Sequence, residues 1–241
     1  MLILLPPSET KTGARRGRPV DLTAVSTPEL TDARRRVADA LATTSARPDA
    51  ATVLKVSANL TDEIARNTVL DSAPATSVAK LYTGVLFDAL DLATLDTASR
   101  RRATRQLRVI SALYGVLRLS DRVAPYRLSM GVNLPGVGPL AGFWKPLLTA
   151  ALPTDELIVD CRSSTYAAAW TPPADRWLQI SVPGATHMAK RTRGEVTRIL
   201  CQHPGRITRA EQVLQVLHEA GREAHLEPAG RTGQVLSVPW V

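Results

Sequence analysis

Cations and hydroxyl groups occur together in four clusters of this 241-residue chain, and that combination binds anions. The first cluster directly follows an apolar run at residues 2–5. Hydroxyls, backbone amides and one ammonium at the end of a strand can hold an oxyanion. The glycines of a Walker A loop are missing, so the cluster does not predict a nucleotide P-loop. Its members are Ser8, Glu9, Thr10 and Lys11.

The second cluster lies in a loop bounded by Pro125 and Gly131. It contains Tyr126, Arg127 and Ser129, which can line an anion site together. The alternative is that the aromatic ring packs in the core while Arg127 forms an internal ion pair. The sequence leaves both interpretations open.

The third cluster is formed by Arg162, Ser163 and Tyr166 and follows an apolar run at residues 157–161. An arginine beside hydroxyl groups is a natural contact set for an anion or a ribose. Because side chains at strand ends form the sites of many α/β proteins, we expect this cluster and the first to converge.

The fourth cluster begins at His187. On a helix, Lys190, Arg193 and Thr197 share one face through spacings of three and four residues, and His187 lies close to it. This stripe can face a phosphate backbone or close over a bound anion. A solvated helix surface is the alternative.

General acid–base chemistry has three candidates in these clusters. His187 is the first, because the unperturbed pKa of histidine is about 6.5. Lys190 and Glu9 are the others. A nucleophile paired with His187 is disfavoured. The candidates are Cys161, Ser163 and Ser164, and none of them lies in a nucleophile-elbow pattern.

The charge of the chain is unevenly distributed. Thirty Lys and Arg against 22 Asp and Glu give a net charge of +8, and 25 of the 30 cations are arginine. Residues 100–127 carry a net charge of +7 and residues 187–209 carry +5. Such segments indicate an anionic partner, either nucleic acid or a small molecule. A general preference for arginine on solvated helices is the alternative.

The apolar patterns predict an α/β (mixed α+β) fold: a single domain over residues 1–241, with a mixed sheet, surrounding helices and a basic cleft. Predicted strands cover residues 2–5, 157–161 and 177–182, and a hairpin covers 223–238. Predicted helices cover 27–43 with Thr27 as cap, 59–66, 77–80, 86–91, 97–113, 141–152, 188–201 and a last one that opens with Thr208-Arg209-Ala210-Glu211.

The remaining residue patterns exclude several classes of protein. Two cysteines in no CxxC motif and four histidines in no metal-binding spacing predict no metal site, and no cofactor is predicted. No apolar run reaches the length of a membrane span and the N-terminus lacks a basic leader, so we expect a cytoplasmic protein that binds no membrane.

Residues 134–141 match the hairpin of a helix-hairpin-helix module, whose glycine amides contact a DNA phosphate. Such a hairpin needs a helix on both sides. The upstream stretch, residues 126–133, contains Gly131 and is predicted to be a loop. The match is therefore a weak indication of DNA binding.

These clusters, in this order, resemble the YaaA family of peroxide stress proteins, formerly a domain of unknown function. The resemblance extends over nearly the whole chain, and its most specific block is SALYGVLR…PYRLSMG, in residues 111–131. The opening residues LLPPSETK are similar to actinobacterial members. Other matching segments are 82–84, 143–144, 160–166 and 187–198.

The resemblance implies one α/β domain with a positively charged cleft, and a role in limiting iron-driven oxidative damage to DNA, including DNA binding. No reaction is securely attached to the family. By motif match, the cleft cations would be Lys11, Arg127, Arg162 and Lys190, with Tyr82, Tyr126, Ser129 and Tyr166 nearby.

The fourth cluster departs from the family pattern. Actinobacterial members usually resemble Ser-His-Phe-Asn-Lys there, whereas this chain has Met188 and Ala189 between His187 and Lys190. The loss of an aromatic ring and an amide permits a different, biosynthetic task. Two functions therefore stand: a peroxide-stress protein that binds DNA without sequence specificity, or an enzyme acting on a phosphorylated, nucleotide-like or carboxylated small molecule.

Overall fold

A strand of four aliphatic residues, Leu2–Leu5, forms the centre of the fold in a computed structural model that describes residues 1–184, 188–227 and 232–240. All four residues are buried. A continuous apolar run of this kind is typical of a parallel strand covered on both faces. It pairs in parallel with two neighbouring strands, Leu107–Ser111 on one side and Ile158–Asp160 on the other.

The described residues contain the following elements. The strands are β1 (Leu2–Leu5), β2 (Thr76–Ser77), β3 (Leu107–Ser111), β4 (Gly115–Leu117), β5 (Arg122–Val123), β6 (Asn133–Leu134), β7 (Gly138–Pro139), β8 (Ile158–Asp160), β9 (Trp177–Ser181), β10 (His225–Leu226) and β11 (Gln234–Ser237). The helices are α1 (Thr31–Ser45), α2 (Ala50–Leu54), α3 (Thr61–Arg66), α4 (Val78–Leu81), α5 (Val85–Leu90), α6 (Thr97–Gln106), α7 (Leu140–Ala151), α8 (Ser164–Ala167), α9 (Met188–Gln202) and α10 (Ala210–Glu219).

Seven strands form one mixed sheet in the order β10-β11-β9-β8-β1-β3-β4. The five inner strands are parallel, and the two edge strands are antiparallel to their neighbours. From β1 the chain crosses to β3 on one side, whereas β8, β9 and β11 follow one another on the other side. The strand order thus reverses beside β1, and such a switch point opens a crevice at the carboxyl ends of the strands. The α/β prediction is confirmed.

The helix predicted over residues 97–113 is wrong. Helix α6 ends at Gln106, and Leu107 begins strand β3. The spacing of Leu107, Ile110 and Leu113 imitated a helical face, but the run is a buried strand whose register aligns it with β1. A short apolar run cannot be assigned by periodicity alone.

Two predicted caps are also wrong. Thr27 has a left-handed backbone with φ of 63° and makes no side-chain cap, and a short 3-10 turn at Pro28–Leu30 precedes α1. Before α10, the side-chain oxygen of Gln212 accepts from the N–H groups of Thr208 and Arg209. Glu211 was the predicted partner, so the capping glutamine lies one residue further along.

The hairpin resembling a helix-hairpin-helix module does form, with β6 antiparallel to β7 and α7 following. Residues 126–132 upstream contain no helix. The second helix that this module needs is therefore missing. Among the described residues, no helix is long and apolar enough to cross a membrane.

Candidate anion-binding site

A cleft of about 570 Å³ opens at the carboxyl ends of β1 and β8, where the strand order reverses. The loop after β1, the loop after β8 and the start of α9 all contribute to its walls. The structure thereby brings together most of the residues predicted for the site. Those that line the cleft are Ser8, Glu9, Thr10, Lys11, Arg127, Ser129, Ser163, Tyr166, Lys190 and Arg193.

The loop after β1 is held in place by the segment that precedes α5. Thr83 N–H donates to Ser8 Oγ at 3.1 Å, and Thr12 N–H donates to the carbonyl oxygen of Leu81 at 2.8 Å. Lys11 pairs with Tyr82 as an isolated antiparallel bridge. These contacts fix the backbone of the loop and so the direction in which Lys11 extends.

Lys11 lies on the floor of the cleft. Its Nζ donates to the carbonyl oxygens of Ser8 at 2.7 Å and Glu9 at 3.3 Å. The same nitrogen lies 4.4 Å from the centre of the Tyr126 ring and 5.7 Å from that of Tyr82. Burial, together with the nearby Arg127 charge, lowers the pKa of the Lys11 ammonium from 10.5 to about 7.

The tyrosine hydroxyls beneath Lys11 form a buried network. Tyr126 Oη lies 3.1 Å from Tyr82 Oη and 2.7 Å from Ser111 Oγ. Ser111 Oγ also accepts from the N–H groups of Leu113 and Tyr114, so its own hydroxyl is left to donate to Tyr126. Burial raises the pKa of Tyr82 and Tyr126, so both remain neutral. They form a rigid, uncharged floor.

Arg127 is positioned by a buried side chain that is distant in sequence. Asn67 Oδ1 accepts from Arg127 N–H at 2.8 Å, and Asn67 Nδ2 donates to the carbonyl oxygen of Arg127 at 3.0 Å. Asn67 Nδ2 also donates to Ser45 Oγ. Asn67 thus holds both the N–H and the carbonyl group of Arg127, and the Arg127 side chain therefore projects from a defined point of the cleft wall.

Glu9 lies between two cations of the cleft. Its Oε2 is 3.4 Å from Arg127 Nη2, and its Oε1 is 3.8 Å from Lys190 Nζ. The carboxylate itself is largely exposed, so these are loose, screened contacts. One carboxylate thus contacts both walls of the cleft at a position that a ligand carboxylate or phosphate could take.

The close approach of α5 to α9 sets the width of one end of the cleft. Val85, Leu86 and Phe87 of α5 line it beside Lys190 and Arg193 of α9. The helices touch at Gly194, where an added Cβ would lie 2.2 Å from the carbonyl oxygen of Leu86. Only glycine permits this separation.

Arg162 is the predicted cation that the structure does not bring to the cleft. Its side chain is fully buried, and its Nε and Nη2 donate to both carboxylate oxygens of Asp160, at 2.8 and 2.6 Å. Two further donors bind the carbonyl oxygens of Tyr166 and Trp170. Four of its five N–H donors are thus bound inside the fold, and its partner carboxylate lies only two residues earlier.

The other predicted residues have varied positions. Tyr166 is half-buried in the cleft wall, and desolvation raises the pKa of its hydroxyl to about 12. Tyr82 and Tyr126 lie beneath the cleft rather than in its lining. His187 falls outside the described residues, so its predicted acid–base role stays a prediction.

Cys161 is buried against Thr197, and burial raises the pKa of the thiol to about 12, which leaves it unreactive.

Sequence reasoning missed Lys55 and Asn67. Lys55 ends α2 with a left-handed backbone, lines the cleft and donates to the carbonyl oxygen of Gly131 at 3.1 Å. Neither residue belongs to a polar cluster or follows a strand of the central sheet, so no local signal marks them.

Among the described residues, the cleft combines five cationic side chains with one carboxylate, and it is also lined by hydroxyl groups. Such a set can bind a phosphate or carboxylate group by charge-assisted hydrogen bonds. Within the described residues, no group of three or more His, Cys, Asp or Glu side chains is arranged to hold a metal ion. The cations are Lys11, Lys55, Arg127, Lys190 and Arg193.

Comparison with known proteins agrees with the resemblance drawn from the motifs. The model of a family described as peroxide stress protein YaaA matches residues 1–221. A UPF0246 protein of Streptomyces coelicolor is 39% identical over 254 residues, covering 100% of this chain and 96% of its own. A UPF0246 protein of Corynebacterium efficiens is 41% identical over 233 residues, covering 92% and 93%. The chain belongs to the YaaA family.

Proposed function

We propose that this protein is an enzyme that binds a small phosphate- or carboxylate-bearing molecule in its cleft. The observation that carries the proposal is the convergence of five cations of the described residues on one cavity, where the carboxylate of Glu9 contacts two of them. A cavity of about 570 Å³ is of the size that encloses small ligands. Arg127 and Lys190 bind the anionic group, and the ligand displaces Glu9.

The arginines of the basic segment 100–127 support this choice over a DNA-binding surface. Two of them bind backbone carbonyl groups of the protein: Arg100 donates to those of Ala93 and Leu95 in the turn before α6, and Arg102 donates to those of Cys201 and Gln202 at the end of α9. A cation bound to the last carbonyl groups of a helix stabilises that end, as Arg102 does for α9. They contribute less to a phosphate-binding surface than the sequence count suggests.

The second candidate function is non-sequence-specific DNA binding within the peroxide response, with the limitation of iron-driven damage that the family resemblance implies. Family membership favours it, and so do Arg101 and Arg105, which are exposed on α6. Duplex binding would use phosphate contacts and weaken steeply with salt. The acid–base roles predicted from the sequence for Lys190 and Glu9 have no part in this second function.

The test measures the thermal unfolding midpoint with inorganic phosphate, nucleotides and organic acids. Ligands that bind the native cleft raise the midpoint of the wild-type protein. Arg127→Gln is expected to weaken the binding about tenfold or more, because a charge-assisted contact is lost. Arg101→Gln is the matched control, since it removes the same charge from an exposed helix outside the cleft, and it is expected to leave ligand binding unchanged.

A parallel titration separates the two functions. Fluorescence anisotropy with a labelled duplex at about 50 and about 200 mM salt reports phosphate-backbone binding. Duplex binding that depends on Arg101 and Arg105, with no small anion raising the unfolding midpoint, would replace the enzyme proposal by the DNA-binding function. Small-anion binding that is lost in Arg127→Gln supports the enzyme proposal.

A further inference from the structure

The distribution of lysine in this chain is unlike that of arginine. Of the 30 cationic residues only five are lysine, and three of those five line the cleft: Lys11, Lys55 and Lys190. Arginine binds carboxylate and phosphate groups better, because its planar guanidinium donates two parallel hydrogen bonds. What lysine offers instead is an amine that can lose its proton and form a covalent bond.

Lys11 has the position that such an amine needs. It lines the cleft and is held from below by two tyrosine rings, whose hydroxyls are tied to each other. Within the described residues it makes no ion pair; its recorded hydrogen bonds go to the carbonyl oxygens of Ser8 and Glu9. A neutral amine has two N–H groups, which these two carbonyls can accept, so its lone pair is left for a group in the cleft.

Burial favours the neutral amine of Lys11, and the neighbouring charge of Arg127 adds to that effect. Arg127 Nη1 donates to the same Glu9 carbonyl oxygen as Lys11 Nζ, at 3.4 and 3.3 Å, which places two cations side by side. Arg66 lines an adjoining small pocket with Lys11. Glu9 and Glu63 oppose this effect, yet burial and Arg127 outweigh them and the pKa falls to about 7. A desolvated lysine beside another cation is a recurrent form of activated nucleophile.

We infer that Lys11 forms an imine with the carbonyl carbon of an aldehyde or 2-oxo acid whose carboxylate or phosphate is bound by Arg127 and Lys190. This inference rests on the proposed anion-binding function and names the substrate class of the same site. The cationic wall holds the charged end of the molecule, and the floor amine reacts with the carbonyl group beside it.

The step balances without any further reactant. The Lys11 lone pair forms the C–N bond while the carbonyl π pair moves to oxygen, giving a carbinolamine. The C–O bond then breaks, and the oxygen leaves as water with the two protons that the amine carried. The products are one imine and one water molecule, with no change of oxidation state.

The test traps the imine in the full-length wild-type chain. Glyoxylate, an aldehyde with a carboxylate, and propanal, an aldehyde without charge, are each added with cyanoborohydride, and peptide mass spectrometry measures modification at every lysine. Lys80 and Lys145 are exposed, lie outside the cleft lining and act as internal controls. At about pH 7, we expect glyoxylate to modify Lys11 at least about tenfold faster than these controls.

Three further results are expected. Inorganic phosphate should slow the glyoxylate reaction at Lys11 and leave Lys80 and Lys145 unaffected, because it competes for the cationic wall. Propanal should show a smaller preference for Lys11 than glyoxylate does. Arg127→Gln should slow modification of Lys11 at about pH 7, since both the anion contact and the neighbouring charge are lost.

Equal modification of Lys11, Lys80 and Lys145 by glyoxylate in the wild-type protein would overturn the inference. The two measurements distinguish failure of the imine from failure of the anion site. If phosphate raises the unfolding midpoint but Lys11 is not preferentially modified, the anion site stands and the imine does not. If Lys11 reacts fast but phosphate neither binds nor slows it, the substrate class inferred here is wrong.

Discussion

Arg127 and Arg162 were both expected to bind an anion, yet one lines the cleft and the other is buried inside the fold. Arg127 keeps 21% of its side-chain surface exposed and meets Glu9 at 3.4 Å across the cleft. Arg162 exposes none of its side chain and binds both oxygens of Asp160. The difference shows that an arginine count predicts neither a binding surface nor its position. An arginine is available to a ligand only when acceptors inside the fold do not already bind its guanidinium N–H groups.

The largest expected effect concerns Arg162. Arg162→Met leaves the buried Asp160 carboxylate with Trp177 Nε1 as its remaining side-chain donor, at 3.0 Å. Breaking a buried ion pair from one side costs about 3–5 kcal/mol in the free energy of unfolding. Urea unfolding measures it, with Arg127→Met as the matched control, which should cost less than about 1 kcal/mol. Similar losses of unfolding free energy in the two variants would contradict the distinction between a buried Arg162 and an accessible Arg127.

Asn67 gives the next largest effect, because it touches the cleft only through Arg127. Asn67→Ala removes both contacts to the Arg127 backbone and leaves its partly buried N–H and carbonyl groups without these partners, at a cost of about 1–3 kcal/mol in unfolding free energy. Anion affinity should also fall several-fold, measured by calorimetry at a temperature where the variant is folded. Unchanged affinity in a destabilised variant would show that Arg127 does not need this support.

Glu9→Gln is expected to act in the opposite direction. The variant removes the carboxylate that contacts Arg127 and Lys190, so a ligand anion no longer competes with it. We expect several-fold tighter binding of phosphate at low salt, and a smaller gain at high salt because exposed charges are screened. Weaker binding in the variant would instead give Glu9 a direct role in holding the ligand.

The last expected effect is a pH dependence of stability. The pKa of Lys11 is about 7 in the folded chain and has its ordinary value of 10.5 in the unfolded one, so between these values the unfolded state binds more protons. The unfolding free energy of the wild type should therefore rise with pH from about 7 towards 10, relative to Lys11→Met. Denaturant unfolding at several pH values measures the difference, and parallel curves would place the Lys11 pKa near its ordinary value.

Part of this structure is predictable from local sequence. Continuous apolar runs identify β1 and β8, and polar residues after them identify two walls of the cleft, because carboxyl ends of parallel strands meet at one edge. Residues 107–111 were mistaken for helix because three apolar residues at helical spacing also suit a buried strand. Local patterns locate strand ends better than they distinguish short elements.

Other parts depend on contacts between distant residues. Asn67 reaches Arg127 across 60 positions, and Lys55 reaches Gly131 across 76, so neither role has a local pattern. Arg162 was placed in the cleft because its neighbours are hydroxyl residues. The carboxylate of Asp160, two residues before it, was the local sign of an internal pair.

The position of β1 in the sheet has a consequence for the order in which the protein acquires its site during synthesis. β1 pairs with residues 107–109 and 158–160, which are translated long after it. At about 5–20 residues per second, the strand waits on the order of ten seconds for its second neighbour. Until residues 107–109 are made, the four aliphatic residues of β1 have no strand to pair with, and until residues 158–160 and α9 follow, the loop bearing Lys11 has no opposing wall. A nascent chain shorter than about 160 residues therefore carries Lys11 as an ordinary lysine, without the burial that lowers its pKa, and it exposes a strand prone to wrong pairing.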